Sequence, residues 1–155
     1  MSQLDHERYM QRAIALTSHT PDRPFGAVIV DRVTSGIVAE GWNKSEENAL
    51  WHGEIDALNS LVKAGRGGAG SSLVLYTTAE PCPMCMAACL WSGIGTVVFG
   101  TSIRFLIDIG WRQVDIPAEE VALRSSGFVC DVIGGVLESE CNELFLTTSR
   151  AAPGR

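Results

Sequence analysis

His52-Gly53-Glu54 and Pro81-Cys82-Pro83-Met84-Cys85 supply one imidazole, two thiols and one carboxylate from two short segments of the chain. A mixed nitrogen and sulfur set suits zinc. Three protein ligands, His52, Cys82 and Cys85, leave the fourth tetrahedral position open, and an open position holds water. Glu54 lies two residues past the histidine, where its carboxylate can exchange protons with that water. Each half is weak alone, since a CxxC pair also occurs in redox proteins. Together they describe a catalytic metal site.

Two other readings compete. Cys89 could close a structural four-ligand site, because it lies one helical turn past Cys85 on the same face. One turn rises about 5.4 Å, too far for a metal held at the helix start. A redox pair leaves His52 and Glu54 without a role.

The elements around these residues must bring them together. Between the two segments, Ile55, Leu58, Leu61 and Val62 recur at helical spacing. Gly65 to Gly70 reads as a loop and Leu73 to Thr77 as a buried strand. A second helix is predicted over Cys82 to Ser92, with Pro81 and Pro83 suited to its first turn. His52 and Cys82 then stand side by side at two helix starts, where unpaired N–H groups and partial positive charge favour thiolates.

Elsewhere, Leu4 to Ser18 reads as a first helix, broken by Thr20-Pro21-Asp22-Arg23-Pro24. Phe25 to Val30 and Ile37 to Trp42 read as a hairpin. Thr96 to Gly100 and Phe128 to Ile133 are further strands, and Ala118 to Ser125 and Val136 to Phe145 further helices. Ser102 to Ile116 suits a short helix or an irregular segment. The alternation predicts an α/β fold, a three-layer αβα sandwich around a central mixed five-stranded sheet.

The 155 residues fit one domain, 1–155, with a frayed end over 147–155. Composition is ordinary for a globular protein, with 46% hydrophobic and 19% charged residues. No apolar run is long enough to span a membrane, and the polar N-terminus lacks a signal-peptide core, so a cytoplasmic location is expected. A net charge of −6 with scattered Lys and Arg argues against a strongly electrostatic nucleic-acid binder. Cys89, Cys130 and Cys141 are expected to be reduced and buried. His6 and His19 read as solvated, and Trp42, Trp91 and Trp111 as core or interface aromatics. Glu80 reads as structural.

The H-x-E and P-C-x-x-C pair is the signature of zinc deaminases. With Pro24-Phe25-Gly26-Ala27-Val28 and Gly41-Trp42-Asn43, it makes the chain resemble the cytidine deaminase-like superfamily from about Tyr9 to Phe145. Within it, Phe25 to Val30 and Glu80 to Cys85 look like bacterial guanine deaminases. His52-Gly53-Glu54-Ile55 also looks like fungal cytosine deaminase, and Val132 to Phe145 is similar to bacterial tRNA adenosine deaminases. The resemblance implies that Zn2+ is bound by His52, Cys82 and Cys85 and that Glu54 shuttles protons. It implies that Asn43 hydrogen-bonds the substrate, that the Gly53 backbone faces it and that Phe25 lines the ring pocket. Trp51 is expected to wall that pocket, because its neighbour is a ligand. Phe25 could equally be core, and Asn43 a loop cap.

Two features depart from the family's pattern. Asn43 stands only nine residues before His52, and the bulky Trp51 occupies a place where small or aliphatic residues are common. Ser102 to Ile116 also departs from the acidic segment through which guanine deaminases contact their base, where Asp108 and Asp115 are the acidic groups available. The expected function is hydrolytic deamination of a free nucleobase, guanine or a related aminated purine, by a homodimer. Cytosine deamination, tRNA adenosine deamination and a non-catalytic zinc-stabilised module are the alternatives.

Overall fold

The computed structural model describes residues 3–67 and 72–151, without side chains for 149–151. The predicted loop at Gly65 to Gly70 therefore lies partly outside the described residues. Helix α1 (His6–Leu16) is capped by Asp5, whose carboxylate accepts from Arg8 N–H at 3.1 Å. Strands β1 (Gly26–Asp31) and β2 (Gly36–Trp42) pair antiparallel as the predicted hairpin. Then come α2 (Gly53–Lys63), β3 (Leu73–Ala79), α3 (Pro83–Trp91), β4 (Thr96–Thr101) and α4 (Ile103–Asp108). The chain continues with α5 (Ala118–Leu123), β5 (Asp131–Ile133) and α6 (Glu138–Ala151).

The five strands form one mixed sheet in the order β2-β1-β3-β4-β5. β1 runs antiparallel to both β2 and β3, while β3, β4 and β5 are parallel. Period-two alternation sends opposite side chains of each strand into different layers. Ala27, Ile29, Leu73, Leu75 and Val97 pack against Leu58 and Leu61 of α2, Met86 and Leu90 of α3 and Ala118 of α5. Val28, Val30, Val74, Tyr76 and Val98 pack against Tyr9, Met10, Ala13 and Leu16 of α1 and Cys141 of α6. The result is the expected sandwich. β1 and β3 are buried along their whole length, as central strands covered on both faces require.

Several boundaries and burials differ from the sequence reading. The segment expected to fray from Thr147 instead continues α6 to Ala151, with Thr148 Oγ1 donating to Leu144 O at 2.9 Å; residues 152–155 lie outside the described residues. Cys130 is half-buried rather than buried, because it precedes the short edge strand β5. His6 is also half-buried, with Nδ1 2.8 Å from the Tyr76 hydroxyl. Trp91 is not a core aromatic: it is 80% exposed and packs edge-to-face with Phe128. Among the described residues, no helix is long and apolar enough to cross a membrane.

Two glycines set how closely the site elements approach. A Cβ on Gly41 would collide with Ala57 N and lie 2.7 Å from Gly53 O, so β2 and the start of α2 touch backbone to backbone. A Cβ on Gly53 would lie 2.7 Å from Phe25 O. Only residues without a side chain permit this packing.

Candidate metal and catalytic site

His52 and Cys82 are the N-cap residues of α2 and α3. N-caps are usually Ser, Thr, Asp or Asn, whose oxygens satisfy the first free N–H groups. Here neither side chain makes a capping hydrogen bond, which leaves both free to bind something else. Pro83 takes the first position of α3, where its missing N–H costs nothing. Cys85 follows one turn in and is fully buried.

The three ligand atoms converge. His52 Nδ1 lies 3.7 Å from Cys82 Sγ and 3.5 Å from Cys85 Sγ. Tetrahedral zinc, with bonds of about 2.0 Å to nitrogen and about 2.3 Å to sulfur, needs N···S separations of about 3.5 Å. The residues therefore fit the ion. His52, Cys82 and Cys85 form a group of potential ligands within 4.8 Å of one another, and Cys89 lies outside it, in the core with Met86 and Leu90. The hydrogen bond from Cys85 favours a thiolate at Cys82, lowering its pKa to about 4, while the same bond and burial push Cys85 up.

Glu54 sits in the first turn of α2, 3% exposed. Burial is the main cause that raises its pKa, with the Cys82 charge adding to it. Thr77 Oγ1 on β3 lies 3.0 Å from both Glu54 Oε1 and Ala79 O. A hydroxyl has one proton to give. When it goes to Ala79, a protonated Glu54 can donate back to Thr77, so the pair accommodates either protonation state of the carboxyl.

A cavity of about 430 Å³ opens over these groups, lined by His52, Glu54 and Cys82 together with Phe25 and Asn43. Asn43 is buried, and its Oδ1 accepts from Ser45 N at 3.0 Å and Ser45 Oγ at 2.7 Å. The loop-cap role and the cavity position therefore coexist: the oxygen closes the turn, and the amide nitrogen remains as a donor. Phe25 is likewise both core and wall, packed at 4.9 Å on Phe145 and edge-on at 5.6 Å to Trp111. Gly53 supplies the close backbone contact described above and is not among the lining residues.

Trp51 is not brought to the cavity wall. Its indole N–H donates to Asp56 Oδ1 at 2.9 Å, which turns the ring onto Lys44 instead. Asp108 and Asp115 are exposed and both pair with Arg104, at 2.8 and 3.3 Å. Glu80 also lines the cavity, and its two oxygens accept from Ile103 N and Ala118 N, each at 2.8 Å, which ties α4 and α5 to the end of β3. The sequence reading missed Arg23, Trp111, Arg112 and Gln113, which also line the cavity. Their segments carry no local motif; only the proline break before Phe25 and the apolar run before Trp111 hinted at folded loops there.

The α/β sandwich and the open histidine–cysteine site define a zinc-binding enzyme domain in which a carboxylate stands beside the metal position. Residues 3–101 match the cytidine and deoxycytidylate deaminase zinc-binding region, and the chain belongs to that family. It is 30% identical to a probable cytosine deaminase of Schizosaccharomyces pombe over 139 residues, 85% of each chain. It is 30% identical to the guanine deaminase of Bacillus subtilis over 129 residues, 76% of this chain and 81% of the relative. It is 33% identical to a tRNA-specific adenosine deaminase of Haemophilus influenzae over 146 residues, 91% and 81% of the two chains. The solved guanine deaminase of Nitrosomonas europaea shares the fold, with a TM-score of 0.82, 22% identity, and 97% and 87% of the two chains covered.

Proposed function

We propose that the protein hydrolytically deaminates a free nucleobase, guanine or a related aminated purine, with release of ammonia. The observation that carries this reading is Glu54: a buried carboxyl on the wall of the same cavity as His52 and Cys82. Zinc, when held by His52, Cys82 and Cys85, supplies a Lewis acid that brings the pKa of water toward neutrality. Glu54 accepts a proton from the attacking water at a carboxylate oxygen. The water oxygen bonds to the ring carbon that carries the exocyclic amine. Glu54 delivers the proton to the adjacent ring nitrogen, and a second proton from the new hydroxyl to the amine. The C–N bond then breaks, ammonia leaves and a ring carbonyl remains. Asn43 donates to a ring acceptor, while Phe25 and Trp111 flank the ring. The B. subtilis and S. pombe relatives support a free base.

One observation favours a second reading. Arg23 and Arg112 line the cavity of a chain whose net charge is −6. Such cations suit phosphates beside a flipped base, and tRNA deaminases are also relatives. Ammonia release from guanine, 2,6-diaminopurine, cytosine, adenine and tRNA separates the two readings. Turnover of a free purine is expected, and turnover of tRNA alone would overturn the free-base reading. A homodimer is carried into this proposal from the resemblance, and sedimentation velocity tests it.

A further inference from the structure

We propose that Asp56 is a positioning residue for this site, holding the short loop that joins Asn43 to His52 so that substrate donor and metal ligand keep a fixed separation. Asp56 lies on α2 one turn past His52, and its side chain is buried. Its N–H donates to His52 O at 2.9 Å. Its carboxylate collects donors from both ends of the loop. Oδ2 accepts from Trp42 N at 3.1 Å and Lys44 Nζ at 2.9 Å. Oδ1 accepts from Lys44 Nζ at 2.8 Å and Trp51 Nε1 at 2.9 Å. Trp42 and Lys44 flank Asn43, and Trp51 precedes His52. Three chain neighbours of the two site residues therefore meet on one carboxylate.

The surroundings reinforce the clamp. Lys44 N donates to Trp51 O at 2.9 Å, which closes the loop on itself. The Lys44 ammonium lies 4.7 Å from the Trp42 ring centre and 5.2 Å from that of Trp51, so two aromatic faces hold the cation over Asp56. The two departures from the family's pattern, the short spacing and the bulky indole, have one physical role here. A shorter loop reaches Asp56 from both sides, and the indole supplies the N–H that fastens its far end. Charge-assisted hydrogen bonds to a buried carboxylate are strong, and removing the acceptor takes a shared partner from three donors at once.

The Asn43 half of this proposal rests on the deaminase reading above; the His52 half does not. The test compares Asp56→Asn and Trp51→Phe with Asp31→Asn. Asp31 is also buried, accepts from a backbone N–H and pairs with an arginine, but it belongs to the far end of β1. Zinc transfer from the loaded protein to the chromogenic chelator 4-(2-pyridylazo)resorcinol is followed well below the melting temperature of each variant. Zinc release is expected to be about tenfold faster in Asp56→Asn, the size typical of losing support behind a metal ligand, and less accelerated in Trp51→Phe. Asp31→Asn is expected to lower the melting temperature and leave the release rate unchanged. On a base the wild-type enzyme turns over, KM is expected to rise in Asp56→Asn by a larger factor than kcat falls. Equal release rates in all four proteins would overturn the proposal, whatever their melting temperatures. If no base is turned over, the release rates still decide the His52 half, so failure of the substrate reading is seen separately. If Asp56→Asn does not fold, an unchanged release rate in Trp51→Phe overturns the proposal.

Discussion

At the scale of single residues, the site divides into groups that bind, a group that moves protons and groups that aim. Glu54 is the proton carrier in the proposed reaction, and its carboxyl is buried against Thr77. Glu54→Gln keeps the shape and one hydrogen-bonding oxygen. It is expected to retain zinc and to lower kcat by about 10²–10⁴-fold, the range for removing a general acid–base group. Zinc content by atomic absorption, measured beside ammonia release, checks both halves. Undiminished turnover in the zinc-loaded variant would remove Glu54 from the mechanism. Cys82→Ala deletes a ligand at the start of α3, and loss of bound zinc on dialysis is the expected result. Arg112 is exposed on the cavity wall. Arg112→Gln is expected to raise KM more than it lowers kcat, because a group at the rim binds the ground state as well as the transition state.

At the scale of elements, the site depends on how closely strand and helix approach. Gly41 in β2 meets the backbone of α2 at Ala57 and Gly53. An added methyl has no flexible neighbour to displace, since the obstacles are backbone atoms. Gly41→Ala is therefore expected to destabilise the fold by about 1–3 kcal/mol, the usual cost of overpacking, and thermal unfolding measures it. The end of β1 carries a pH-dependent tie. Val33 N–H, chiefly, and the Arg66 guanidinium lower the Asp31 pKa, while burial opposes them. The unfolded chain then binds the proton more readily than the folded one. The stability contributed is complete above the unfolded value, about pH 4, and is lost as pH falls through the lowered folded value. Asp31→Asn is expected to flatten that acid limb, and urea midpoints between about pH 3 and 6 would show it. An unchanged slope would mean that Asp31 titrates alike in both states.

At the scale of the whole molecule, residues far apart in the chain meet around one cavity. The helical spacing of Leu58 and Leu61, the apolar runs of β1 and β3 and the proline at the start of α3 are local signals. They were legible because period and capping depend on neighbours a few residues away. Trp51 was legible as an aromatic beside a ligand, but its direction depends on Asp56, whose carboxylate captures the indole N–H. Asp108 and Asp115 were legible as acidic groups and are held by Arg104 on the surface. Trp111 and Arg112 became cavity residues only because the segment after α4 folds back, with Trp111 edge-on to Phe25 and Phe145. Thr147 and Thr148 lie within α6, their hydroxyls bonding the carbonyls four residues earlier, and Thr148 also reaches Pro21 O at 3.3 Å, a contact 127 residues apart in the chain that no local signal announces.

The ligand set, the carboxyl beside it and the layering of strands and helices were determined by the sequence itself. Their causes are local: residue chemistry, spacing within one turn and the alternation of a strand. The tertiary structure decided the cavity wall, the indole's partner and the separation of Asn43 from His52. Those depend on contacts between segments 23–25, 42–56 and 111–113, and hydrophobic periodicity carries no information about which distant side chains will meet.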